Sequence, residues 1–152
     1  MLQVMPVINM FRKENFFLSN FYPARVEYEG KVYETSEHAF QAAKTLDEDE
    51  REWVRLADGP KEAKARGRKV TLRPDWDERI ATKQMAKILK SKFSDPELRE
   101  KLIATVGKTL IEGNYWHDNK WGVCLCEKCP GEGTNTLGMI LSMIRVAIKN
   151  AS

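Results

Sequence analysis

The sequence predicts an α+β fold: a helix-dominated single domain with a small antiparallel sheet. Three observations lead there. The stretch ARVEYEGKVYE alternates apolar and polar residues about a Glu29-Gly30 turn, the pattern of a β-hairpin. Most of the remaining chain repeats apolar residues at helical spacing. At 152 residues the chain can bury one sizeable core, and no linker, repeat or low-complexity tract divides it.

The opening stretch, MLQVMPVINMF, is apolar but short and is broken by Pro6, so it reads as a first strand. It lacks a basic leader, and no apolar run reaches membrane-spanning length. A cytoplasmic protein is expected, with no membrane partner. After the hairpin, a helix over residues 35–46 begins at Thr35-Ser36, both of them capping residue types. A second helix, over DEDEREWVRLA, has an acidic first turn. Gly59-Pro60 breaks it, and Pro60 opens a third that ends near Gly67. A fourth helix covers RPDWDERIATKQMAKILKSKF, with Trp76, Ile80, Met85, Ile88, Leu89 and Phe93 as its apolar stripe. Ser94-Asp95-Pro96 stops it and starts a fifth, carrying Leu98, Leu102 and Ile103. TLIEG reads as a strand. A last helix begins near Thr134-Asn135 and buries Leu137, Ile140, Leu141, Ile144 and Ile148.

Residues 113–133 form a long turn-rich segment, and loops of this length in compact domains are often functional. The segment holds two of the four tryptophans, one of two histidines and all three cysteines. Three cysteines cannot all pair within one chain, which fits a reducing compartment. Cys124, Cys126 and Cys129 with His117 make a Cys₃His set, which leaves two readings open. One is a structural zinc; the other is reduced cysteines packing a loop. Neither involves a catalytic metal. Trp116 and Trp121 either cap the core or wall a slot for a flat ligand, with Asp118 between them.

The net charge of +3 is too small to indicate nucleic-acid binding, which needs a broader basic face. Lys61, Lys64, Arg66, Arg68 and Lys69 nevertheless crowd one short span. They suit a solvated helix end or a phosphate contact equally well. In FLSNFYP, Ser19 and Asn20 are polar among aromatics, and their polar atoms need partners if buried. Asn20 can read a ligand edge, while Phe21 or Tyr22 can stack on a base.

The stretch TSEHAFQAAK carries the most unusual pattern. Glu37, Gln41 and Lys44 lie along one helix face, two turns from end to end, while the flanking residues are small or apolar. A polar stripe is ordinarily the wet face of a helix. Here the alanines allow close packing, so the stripe can line a pocket instead.

Taken together, FLSNFYP, TSEHAFQAAK, AKARGR, WG and GTNTLGMIL…R occur here in the order found in the YbiA-like, or NADAR, family. The chain resembles that family over about residues 11–147, most strongly at Ser36, Glu37, His38, Phe40, Gln41 and Lys44. The resemblance implies a YbiA-like α+β domain and N-glycosidase activity, cleaving the bond between a nitrogenous base and ribose. It implies substrates of two kinds. One is the ribosylamino-pyrimidine phosphates of riboflavin synthesis. The other is ADP-ribosylated guanine, on a nucleotide or on DNA. It implies Glu37, Lys44 and Asp118 as catalytic residues. The expected substrate contacts are Ser19, Asn20 and Phe21 in the first motif, Gln41, and Lys64 and Arg68 in the basic span. Trp121, Gly122 and Asn135 complete them. No cofactor is expected.

Two mechanisms suit these residues. In a dry pocket the lysine amine is freed and can attack the anomeric carbon, forming a Schiff base while Glu37 moves the proton. Alternatively, Glu37 or Asp118 activates water against an oxocarbenium-like centre, and Lys44 holds a phosphate or orients the acid. The non-enzymatic alternative is a module that binds NAD or ADP-ribose through Lys64, Arg68 and a tryptophan slot. Ser142, Val123 and the cysteine cluster depart from many relatives, and these departures bear on substrate more than on reaction.

Overall fold

Val26, Tyr28 and Tyr33 explain the hairpin. Their side chains share one buried face, while Glu27 and Lys31 point outward. In the computed structural model, which describes residues 6–129 and 131–151, β1 is Val7–Ile8, β2 is Val26–Tyr28 and β3 is Lys31–Tyr33. Strands β2 and β3 pair antiparallel, Val26 opposite Tyr33 and Tyr28 opposite Lys31. Glu29 and Gly30 both take positive φ, 46° and 83°, as a two-residue type I′ turn requires.

The chain forms two compact units, Asn20–Asp95 and the segments on either side of it. In the first unit the hairpin leads into α1 (Ser36–Ala43), α2 (Glu48–Arg55), α3 (Pro60–Gly67) and α4 (Glu78–Lys92). Thr35, Asp47 and Asp77 cap α1, α2 and α4, each accepting a backbone N–H from the first turn. Helix α1 packs against α2, α3, α4 and the hairpin, and all eight of its residues are buried. His38, in its first turn, is fully buried and ties it to the connection after α2. His38 Nε2 donates to the Ala57 carbonyl at 3.0 Å, and Nδ1 pairs with Thr35 Oγ1 at 2.7 Å.

The second unit contains β1, a 3-10 helix (Lys13–Leu18), α5 (Pro96–Ile103), β4 (Thr109–Leu110), β5 (Gly113–Asn114), β6 (Val123–Cys124) and α6 (Thr136–Ala151). Leu102, Leu110, Leu137 and Leu141 are fully buried in its core. Arg145 on α6 donates to the carbonyls of Thr105 and Lys108, closing the turn that follows α5.

The helix-dominated α+β class is as expected from the sequence. The structure differs from that expectation in three places. The fourth helix starts at Glu78 rather than Arg73, because Asp77 caps it and Pro74 lies in the preceding turn. Trp76 is therefore outside the helix, with its ring 5.6 Å from that of Phe40. The hairpin is the expected antiparallel sheet, but two further pairs, β1–β4 and β5–β6, are parallel. The 113–133 segment thus contributes two short strands rather than loop alone. Of the expected first strand, Val7 and Ile8 are paired, and residues 1–5 lie outside the described residues. Pro130, at the end of the cysteine motif, also lies outside them.

Candidate active site

The centre of the site is the polar stripe of α1. Glu37 is 7% exposed and Gln41 4% exposed, so this is not a wet face. Gln41 Nε2 donates to Glu37 Oε1 at 2.7 Å, which holds both side chains along the helix. Lys44 caps the C-terminal end, half-buried, with its Nζ 5.8 Å above the Phe40 ring. The stripe predicted from spacing is present, with Glu37 and Gln41 buried and Lys44 half-buried.

Electrostatics drive the acid and the amine toward each other. Burial pushes the Glu37 carboxyl above its ordinary value, against the Gln41 hydrogen bond and the charges of Lys64 and Lys44. Burial also pulls the Lys44 ammonium below its ordinary value, opposed by Glu37 and assisted by Arg68 and Lys64. Lys64, half-buried, and Arg68, exposed, thus stand at the end of α3 where their charge reaches Lys44. Asn20 belongs to the same neighbourhood. Its carbonyl accepts the Glu37 N–H at 3.1 Å, so Asn20 is fastened to the start of α1. Phe21 follows it, half-buried.

Three buried polar atoms around α1 have no hydrogen-bond partner among the described residues: Asn20 Oδ1, Ser36 Oγ and Gln41 Oε1. Sequence reasoning missed Ser36 as a candidate contact. The available signal was the Thr35-Ser36 pair, in which only one residue can cap. Thr35 does so, and Ser36 keeps its hydroxyl.

The other expected site residues lie in the second unit. Ser19 ends the 3-10 helix and is half-buried. Asp118 Oδ1 accepts the backbone N–H groups of Lys120 and Trp121, at 3.1 and 2.9 Å. Asn114, fully buried, brackets Asp118 by accepting its N–H and donating to its carbonyl. The carbonyls of Lys120 and Trp121 receive the first N–H groups of α6. Trp121 is half-buried and Gly122 buried, whereas Trp116 is 57% exposed. Asn135 commits its amide to backbone, donating to Leu110 and accepting from Glu112. Nearby, the ligand atoms of His117, Cys124, Cys126 and Cys129 all lie within 4.8 Å of one another, the one cluster among the described residues suited to a metal ion.

Comparison with known proteins follows the same lines. The model of the NADAR domain matches residues 9–149, spanning both units. The chain belongs to the NADAR family. It is 36% identical to N-glycosidase YbiA of Escherichia coli (strain K12) over 144 residues, 91% of this chain and 86% of that protein. The NMR structure of E. coli YbiA superposes on this NADAR chain with a TM-score of 0.83. It has 34% identity, and the match covers 99% of this chain and 90% of that one. A riboflavin biosynthesis protein of Vibrio vulnificus is 34% identical over 85% of this chain, which spans 34% of that longer protein. This NADAR protein is an enzyme of the N-glycosidase class. No helix among its described residues is long and apolar enough to cross a membrane.

Proposed function

We propose that the enzyme hydrolyses the bond between ribose and the exocyclic or ring nitrogen of a phosphorylated N-ribosyl aminopyrimidine, with Lys44 as nucleophile and Glu37 as proton donor. One observation carries this reading. A buried carboxyl shifted up and an amine shifted down share one face of α1. Pairs whose environments push them this way are suited to acid and nucleophile roles near neutral pH. The relative named for riboflavin biosynthesis supports the pyrimidine. The basic end of α3 suits its phosphate.

The chemistry follows from these groups. Lys44 Nζ adds to the anomeric carbon. The carbon–nitrogen bond to the base breaks, and its electron pair takes the Glu37 proton. The amine adduct loses a proton to the Glu37 carboxylate, and ring opening gives an imine. Water then adds to the imine, releasing the sugar phosphate and restoring Lys44. Asn20, Ser36 and Gln41 offer buried acceptor or hydroxyl groups for sugar or base donors. Asp118 is the second carboxylate of the proposal.

The test is separate incubation with an N-ribosyl aminopyrimidine phosphate and with ADP-ribosylated guanosine, reading released base by mass spectrometry. Release from the first, with a borohydride-trapped ribosyl adduct on Lys44, is expected. Release only from the second replaces the substrate assignment. Turnover with no adduct replaces the covalent step by direct attack of water. Arg68→Ala should raise KM for the phosphorylated substrate about tenfold, as loss of one charge-assisted bond implies, and leave a dephosphorylated one unchanged.

A further inference from the structure

We propose that His117, Cys124, Cys126 and Cys129 form a closed, structural zinc site that fixes the loop bearing Asp118 and Trp121. The four ligand atoms converge from a short stretch of chain. Cys124 ends β6 and is buried. Cys126 and Cys129 face each other across the next turn, closed by a Cys129 N–H bond to the Cys126 carbonyl. His117 arrives from the preceding loop with its backbone at φ +67°.

The distances argue for a metal. His117 Nδ1 lies 3.6 Å from the Cys124 sulfur, 3.5 Å from Cys126 and 3.3 Å from Cys129. A tetrahedron with Zn–S of about 2.3 Å and Zn–N of about 2.0 Å has nitrogen–sulfur edges of about 3.5 Å. Hydrogen bonding does not account for the arrangement. One ring nitrogen has either one N–H or one lone pair, and so cannot bind three sulfurs at once. A disulfide joins only two of the three sulfurs and gives the third, and the imidazole, no reason to converge.

The surroundings suit thiolates. Asn119 Nδ2 points at the Cys129 sulfur from 3.7 Å. Such outer donors stabilise and orient ligating sulfur. Three soft sulfurs and an imidazole select zinc over magnesium or calcium. With four protein ligands no position is left open for substrate, so the role is structural.

The loop also needs such a tie. Tyr115, Trp116 and Leu125 are 55%, 57% and 37% exposed, so apolar burial does little to hold it. Asp118 and Trp121 lie between the first ligand and the second. A clamp at His117 and Cys124 would therefore set their conformation from both sides.

The experiment is elemental analysis of the full chain purified under reducing conditions, followed by exchange with cobalt(II). About one zinc per chain is expected, with a cobalt spectrum showing tetrahedral d–d bands and sulfur-to-cobalt charge transfer. Cys126→Ser and His117→Ala should each lower metal content and alter that spectrum. If a variant fails to fold, the wild-type cobalt spectrum still decides the matter. The proposal fails if neither zinc nor cobalt binds stoichiometrically to the folded wild-type chain. It also fails if the bound cobalt lacks thiolate charge transfer, or if the reduced-state purification yields a Cys–Cys disulfide by mass spectrometry. None of these readouts depends on which glycoside is cleaved.

Discussion

Gln41 lies hard against Gly67. A Cβ at position 67 would come within 2.8 Å of Gln41 Cβ and closer still to its amide. The α1–α3 packing thus depends on a missing side chain, and Gln41 in turn holds Glu37. Gly67→Ala should displace Gln41 and cost about 1–3 kcal/mol of stability through overpacking. It should also lower kcat about tenfold, since the Glu37 carboxyl loses the donor that aligns it. Denaturant melts and steady-state kinetics on the same preparation check both.

Glu37→Gln preserves shape but cannot transfer a proton. We expect kcat to fall about 10²–10⁴-fold with KM nearly unchanged. In the native enzyme, both limbs of the kcat/KM profile should lie inside the interval between an ordinary carboxyl and an ordinary amine. Glu37 is shifted up and Lys44 down, so each limb moves inward. Limbs at the unshifted positions would assign them to other groups.

Asp118→Asn separates two roles. An asparagine Oδ1 can still accept the N–H groups of Lys120 and Trp121, so the loop should keep its form. Thermal stability should stay within about 0.5 kcal/mol of the native chain while kcat falls at least about tenfold. Asp118→Ala should lose both. Native kcat in Asp118→Asn would leave the residue as a loop clamp only.

Lys92 is fully buried, its Nζ 5.7 Å from the Tyr22 ring centroid, and burial lowers its pKa to about 7. The folded-state value lies below the unfolded one. Between about pH 7 and 10 the unfolded chain therefore binds more protons at this residue, and stability rises with pH. The contribution is at most about 1.4 kcal/mol per pH unit in that window and vanishes outside it. Lys92→Met should remove it. Denaturation of both chains at pH 7 and pH 9 tests this, and parallel stability curves would refute it.

Local features carried the parts of this fold that were legible in advance. The hairpin was readable because alternation and the Glu29-Gly30 turn sit within a dozen residues. The Glu37–Gln41–Lys44 stripe was readable from helical spacing, although its burial rests on residues far along the chain. The parallel pair of Val7–Ile8 with Thr109–Leu110 was not readable, because no local pattern couples strands a hundred residues apart. Trp76 continues the apolar period of α4 but precedes its cap, since periodicity does not register where a backbone turns. Asn135, expected at the substrate, has its amide engaged by Leu110 and Glu112, a clamp that side-chain type alone does not reveal.

The burial of every residue of α1 divides the positions of this protein by how freely they can vary. An exposed residue such as Arg68 can be exchanged with little structural consequence, and the cysteine-bearing loop can be rebuilt around a different anchor. Glu37 has no such freedom, because it sits on a helix whose every residue is packed into the core. A lineage can therefore change the groups that select a ligand far more readily than the groups that would break the bond. New specificities should arise in this architecture by altering its periphery around a fixed reaction centre.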